Sequence, residues 1–233
     1  MLTLAVDTSA VTATAVLADG DALIAQTSVD GAKTHSETLL PAVAQMMESA
    51  HILPQDIELY ACTVGPGSFT GIRIGVSAVK GLAFGRNKPC VALCSVDVLA
   101  ENLRGVPSIL ICPVMDARRN TFYNALYRNG EKLCETRLIS GKELCAELAR
   151  RGERVCFVGD GTHALTRAMQ GSEFVLPTPE VLVRPSGFAA ALCAQRMYGG
   201  GVGVCTDTAL KPFYLRPTQA ERERLAALEG GEV

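Results

Sequence analysis

Apolar positions in the first hundred residues fall into blocks of alternating strand and helix length. Residues 2–6 are a short apolar run that stops at Asp7-Thr8-Ser9, and residues 12–17 and 23–29 flank an Asp19-Gly20-Asp21 turn. That order predicts a buried strand followed by a hairpin. Over residues 34–50, Leu39, Leu40, Val43, Met46, Met47 and Ala50 recur at helical spacing, and Pro54 closes the segment. The spacing predicts an amphipathic helix. Residues 59–64 read as the next strand, Gly65-Pro66-Gly67 breaks it, and Ser68 or Thr70 can cap a helix reaching Phe84.

This second helix is unusually apolar. Gly67, Gly71 and Gly75 recur every fourth residue, and Ala78 and Gly81 extend the small side. Ile72, Val76, Val79 and Ala83 form another stripe, broadened by Ile74 and Leu82, with Arg73, Lys80 and Arg86 as the only charges nearby. Small residues on one face let another backbone come close. An interior glycine costs a helix up to about 1 kcal/mol, so several need offsetting packing. The expectation is a helix buried on more than one side, touching its own domain and a partner.

Residues 91–93 predict a strand, and Ser95 opens a helix through Leu103. Gly105-Val106-Pro107 reads as a lobe boundary. Beyond it, residues 108–115 are a strand ending in Asp116-Ala117-Arg118, and residues 121–128 and 132–139 predict one hairpin across Asn129-Gly130. A helix at 142–151, a strand at 154–158, a Gly159-Asp160-Gly161 turn and a short helix at 162–169 follow. An alanine-rich helix at 187–198, an extended segment at 210–215 and a polar tail with helical character at 221–228 complete the chain. The predicted organisation is an N-terminal lobe at 1–104, a smaller α/β lobe at 105–205, a segment near 206–220 packing back on the first lobe, and a tail at 221–233. Two lobes that each mix a hairpin-containing sheet with helices follow the order of the actin, Hsp70 and sugar-kinase ATPase fold, with mixed sheets flanked by helices.

Composition narrows the function. The chain of 233 residues has a formal net charge of −2. Residues 1–105 hold 6 basic and 10 acidic side chains, and the remainder 16 and 14, so neither half carries the basic footprint of an autonomous RNA binder. The nine cysteines are scattered, without a C-x-x-C pair, which suits buried thiols better than a zinc or redox motif. Nothing at the N-terminus reads as a signal segment and no apolar run is long enough to span a bilayer, so a cytoplasmic location is expected.

The glycine turn before the second helix brings unpaired N–H groups to the positive end of a helix dipole, which suits an anion such as phosphate. Asp7 and Thr8 at the first strand's end, with Gly65, Gly67, Ser68 and Gly71, form the candidate phosphate-binding set. The spacing is neither Walker A nor the dinucleotide fingerprint, and no Asp or Glu lies between Glu58 and Asp97 to hold Mg²⁺ beside the turn. A tight strand-to-helix turn explains the same residues.

Five stretches carry a family resemblance: Leu4-Ala5-Val6-Asp7-Thr8-Ser9; Thr34-His35-Ser36-Glu37 with Leu40-Pro41; the block 64–75; Asp116-Ala117-Arg118; and Pro212-Phe213-Tyr214-Leu215-Arg216. Together the sequence resembles the TsaB (YeaZ) family nearly end to end. The resemblance implies a part in installing N6-threonylcarbamoyl on adenosine 3′ of the tRNA anticodon, as a non-catalytic partner of the paralogue TsaD with TsaE as ATPase component. It implies a homodimer in isolation, no membrane partner, contact with tRNA only through the complex, and no firmly bound cofactor, with ATP or ADP at the complex interface. TsaD-like enzymes carry a metal-binding H-x-x-x-H segment where this chain has residues 94–99 without histidine, so neither catalytic nor metal-ligating residues are expected. In the family the two amphipathic helices pair with a partner's as a bundle, which puts Leu39, Val43, Met46, Met47, Ile72, Val76 and Val79 at the expected interface. An ATP-hydrolysing or phosphotransfer enzyme of the same fold is the alternative. A peptidase fits least, since no Ser-His or Cys-His arrangement is apparent.

Overall fold

The computed structural model describes residues 1–30 and 34–216. Its first sheet holds six strands. The strands β1 (Leu2–Asp7), β2 (Ala13–Asp19) and β3 (Ala22–Val29) form an antiparallel meander. On the other side β1 runs parallel to β4 (Leu59–Gly65), and β4 to β5 (Cys90–Cys94). Strand periodicity divides the core between two faces. Leu4, Val6, Leu17, Tyr60 and Cys62 pack beneath helices α1 (His35–Ser49) and α2 (Phe69–Ala83). Ala5, Val16, Ala18, Leu59 and Ala61 face the opposite way, against α7 (Gly187–Gly199).

The second sheet follows the order β10-β7-β6-β11-β12. Its strands are β6 (Leu110–Asp116), β7 (Thr121–Asn124), β8 (Tyr127–Arg128), β9 (Glu131–Lys132), β10 (Arg137–Ser140), β11 (Val155–Val158) and β12 (Val175–Leu176). Helices α4 (Gly141–Arg151) and α5 (Thr162–Ala168) cover one face through Leu144, Leu148 and Leu165. Helix α3 (Ser95–Glu101) covers the other, so Val96 and Leu99 pack on the second lobe while Val98 packs on the first.

Two expectations change. The second lobe does not run continuously to residue 205. After the short helix α6 (Glu180–Val183), α7 returns to β1 and β2, and β13 (Val204–Cys205) pairs with β5. Its small face makes this possible: Ala190, Ala191 and Ala194 are buried, and a Cβ on Gly187 would sit 3.2 Å from that of Val16. Helical periodicity reports a buried face but not which sheet buries it. The predicted long hairpin is two pairings. β8 and β9 close across Asn129-Gly130, both at positive φ, whereas β10 pairs with β7. The break follows buried Asn124, whose Nδ2 donates to the carbonyls of Pro113 and Ala125 at 2.9 Å each. Residues 210–215, the extended segment, form an irregular strap. It is pinned where Phe213 N donates to Val64 O at 2.7 Å. The tail expected at 221–233 lies outside the described residues.

Candidate functional site

The cleft between the lobes begins where β1 ends. The Asp7 Oδ1 atom accepts hydrogen bonds from Ser9 N (2.8 Å), Ser9 Oγ (2.7 Å) and Thr63 Oγ1 (2.8 Å), and the residue is 1% exposed. This carboxylate ties the end of β1 to β4. Beside it, Thr8 Oγ1 donates to Gly71 O at 2.7 Å.

The glycines of the turn and of α2 accommodate this strand end. A Cβ on Gly67 would strike Ser9 O, one on Gly71 would strike Thr8 O, one on Gly75 would strike Thr8 Oγ1, and one on Gly65 would strike Phe213 O. Gly65 and Gly67 also hold φ of +130° and +155°, a region side chains rarely enter. The N–H groups of the turn are used internally as well: Ser68 N donates to Ser9 O at 2.8 Å and Gly71 N to Ser68 Oγ at 3.2 Å. Of the predicted phosphate set, Gly67 and Ser68 line the cleft. Asp7, Thr8, Gly65 and Gly71 are buried in contacts within the chain.

Two glycines on α2 therefore have opposite roles. Gly71→Ala should destabilise the fold by about 1–3 kcal/mol, because the new methyl meets backbone. Gly81 has nothing within 4 Å, so Gly81→Ala should stabilise by about 0.5–1 kcal/mol through helix propensity. Urea unfolding of the two variants checks the opposite signs.

The second lobe closes the cleft with the loops after β6 and β11. Asp116 N donates to Asp160 Oδ1 at 2.8 Å, and Arg118 N donates to Asp116 Oδ1 at 2.7 Å. Desolvation by the surrounding walls raises the Asp160 pKa, and the neighbouring Asp116 charge adds to it, although the residue stays open to solvent. The cavity of about 550 Å³ is lined by Ser9, His35, Gly67, Ser68, Phe69, Asp116, Arg118, Tyr123 and Asp160, among others. The sequence marked Asp116-Ala117-Arg118 as a strand end and a stretch of family resemblance, and Gly159-Asp160-Gly161 as a turn. Their convergence with His35 and Phe69 depends on how the lobes face each other. Among the described residues, no three His, Cys, Asp or Glu side chains come together as metal ligands. Asp97, in the stretch lacking the histidine pair, pairs instead with Lys132 at 2.7 Å and accepts a hydrogen bond from Tyr127. Burial pushes the Cys90 and Cys193 thiols up to about 12, away from nucleophilic use.

A second concavity, about 490 Å³, runs between α1 and α2 and is lined by His35, Leu39, Leu40, Phe69, Arg73, Ile74, Ser77 and Ala78 among others. Here the expected interface residues need correcting. Leu39, Val43, Met46, Met47, Ile72, Val76 and Val79 are all between 0 and 6% exposed and sit in the core beneath the helices. The strongest apolar stripe on each helix is the one its own sheet buries. The outward side presents Leu40, 48% exposed, with Ile74 and Ser77 facing it across the groove and Phe84 exposed at the far end of α2. The glycine row is likewise occupied from within, by Thr8, Ser9 and Phe213.

A family model described as TsaD, tRNA N6-adenosine threonylcarbamoyltransferase, matches residues 29–198. The chain is 35% identical to the tRNA threonylcarbamoyladenosine biosynthesis protein TsaB of Bacillus subtilis, over 70% of this chain and 72% of that protein. It is 30% identical to TsaB of Escherichia coli K12, over 79% and 81% respectively. Among solved structures, YeaZ from Pseudomonas aeruginosa superposes with a TM-score of 0.75 at 21% identity, covering 92% of this chain and 99% of that one. An activator of 2-hydroxyisocaproyl-CoA dehydratase from Clostridium difficile, solved with ADPNP, superposes with a TM-score of 0.55 at 12% identity, covering 86% and 97%. The two structural likenesses speak to the fold, which is the actin, Hsp70 and sugar-kinase type expected from the order of elements.

Proposed function

This chain belongs to the TsaB (YeaZ) family of tRNA threonylcarbamoyladenosine biosynthesis proteins, and from that premise we propose that it is the non-catalytic subunit that binds and activates the transferase TsaD together with TsaE. The filled cradle is the observation that carries this reading. An ATPase of this fold needs open N–H groups for phosphate and a free carboxylate for its metal. In this chain the carboxylate of Asp7 holds Ser9 and Thr63, and the glycine turn closes on Thr8 and Ser9.

Docking falls to the groove between α1 and α2. Its exposed Leu40 and recessed Ile74 and Ala78 suit an apolar helix pair, supplied by TsaD in the complex and by a second copy when the chain is alone. Pull-down with TsaD and TsaE from the same source, and a tRNA modification assay with and without this chain, test the proposal. The expected result is co-purification and loss of modification when the chain is omitted. Full modification in its absence would overturn it.

The interlobe cavity favours one other reading, a nucleotide-hydrolysing enzyme with the ligand between Ser68 and Asp160. Calorimetry with ATP and Mg²⁺ on the isolated chain separates the two: we expect no turnover, with any ATP or ADP held only where TsaD completes the site. Among the described residues no helix is long and apolar enough to cross a membrane.

A further inference from the structure

We propose that the mouth of the interlobe cleft is a contact surface for single-stranded RNA, in which four arginines meet phosphates and one of them also stacks a base. Only the choice of RNA rests on the functional reading above. The surface adjoins the docking groove, whose lining includes Phe69 and Arg73, and it goes beyond the expectation that tRNA is met only through the complex.

The four arginines come from three parts of the chain. Arg118 lines the cleft opposite Phe69, and Arg119 follows it in the same exposed loop. Arg216, at the end of the strap, donates from Nη1 to Ala117 O at 2.9 Å, which brings it beside that loop. From α2, Arg73 lies 3.8 Å above the Phe69 ring and donates from Nε to Tyr214 Oη at 2.9 Å. The Phe69 and Tyr214 rings are themselves 4.9 Å apart.

What sets this group apart is that guanidinium groups without a carboxylate partner gather in one place. Arg104, Arg128, Arg137, Arg151, Arg184 and Arg196 each reach an Asp or Glu within 4.0 Å. Among the described residues, Arg73, Arg118, Arg119 and Arg216 have no such partner, and neither do Arg86, Arg150, Arg154 and Arg167. The carboxylates at the cleft, Asp116 and Asp160, are exposed and accept backbone N–H bonds from Arg118 and Asp116. Glu37, near His35 on α1, turns back onto Thr34. The mouth therefore carries four cations against two carboxylates.

The backbone also holds the loop in an uncommon shape. Arg118, Arg119 and Asn120 have φ of +71°, +55° and +55°, fixed by Thr121 Oγ1 donating to Arg118 O at 2.7 Å and Gly141 N donating to Asn120 O at 2.9 Å. Two successive arginines in the left-handed region, followed by Asn120, are uncommon for L-residues. Free guanidinium groups beside a guanidinium already braced on aromatic rings fit the requirements of single-stranded nucleic acid: phosphate pairing plus a flat platform for a base. A mouth opening into a cavity of about 550 Å³ admits a splayed nucleotide better than a duplex.

Fluorescence anisotropy of a labelled single-stranded RNA with the sequence of a tRNA anticodon arm, titrated with the full chain at about 50 and about 200 mM salt, tests this. The Arg118→Ala/Arg119→Ala double variant should bind about tenfold more weakly, with a log–log salt slope about 1.4 shallower, at roughly 0.7 per phosphate contact. Arg73→Ala should also lose about tenfold through stacking. One variant should match the parent: Arg150→Ala/Arg154→Ala, a basic pair elsewhere. Thermal unfolding establishes that each variant folds. Absence of binding at the lower salt, an equal loss in the Arg150/Arg154 pair, or displacement by polyglutamate as effective as by unlabelled RNA would each overturn the proposal. The last would mark a surface for an acidic protein. Failure here leaves the TsaD pull-down untouched, so the two readings fail separately.

Discussion

Leu40→Glu is expected to weaken association with TsaD at least about a hundredfold while leaving the isolated chain as stable as before. Leu40 is 48% exposed at the groove between α1 and α2, whereas its neighbour Leu39 is 2% exposed at the groove's floor and packs into the core. Leucine and glutamate have similar helix propensity, and an exposed substitution usually moves stability by no more than about 0.5 kcal/mol. Pressed against an apolar partner, the same carboxylate would be buried without a counter-ion, at a cost of about 3 kcal/mol or more. That corresponds to about two orders of magnitude in affinity. Sedimentation or calorimetric titration with TsaD measures it, and unchanged affinity would remove the groove from the interface. Val76→Glu is not an equivalent test. Val76 is 4% exposed beneath α2, so the charge would enter the core and unfold the lobe.

Asp7→Ala should destabilise the fold by about 3 kcal/mol, the scale expected when several buried donors lose a shared acceptor. Thr63 Oγ1, Ser9 N and Ser9 Oγ all donate to one carboxylate oxygen in a site closed to solvent. Asp7→Asn keeps an oxygen at that position and should cost clearly less. Denaturant unfolding of both variants gives the order. If Asp7 served a metal or nucleotide instead, Asp7→Asn would abolish activity of the complex with little effect on stability, the reverse of the pattern expected here.

The strands around the cleft were legible because their residues alternate within one sheet. Leu4 and Val6 on one side with Ala5 on the other mark a sheet buried on both faces. Both helices next to the cleft were legible from spacing, and Ser68 does cap α2. What spacing could not reveal was direction. Val76 and Val79 form the cleaner stripe, and this chain buries it against its own sheet. The surface left for a partner is the weaker second stripe around Leu40 and Ile74. The glycine row raised the same ambiguity: small residues announce a close approach without naming what approaches, here Thr8 and Ser9 from the same chain. Similarly, the alanines of α7 gave no sign of the sheet they pack on, because the first lobe ends at a helix far along the sequence. The cleft mouth was hidden for another reason. Arg73, Arg118 and Arg216 are distant in sequence, and a net charge of −2 conceals a local excess of cations.

Reconstituted tRNA modification with TsaD, TsaE and supplied threonylcarbamoyl-adenylate, run with the parent chain, Asp7→Asn and Leu40→Glu side by side, tests most directly whether this protein works by docking. The expected outcome is near-parental modification with Asp7→Asn and near-background modification with Leu40→Glu. Full modification with Leu40→Glu and none with a folded Asp7→Asn would place the chemistry in this chain's own cleft and contradict the account.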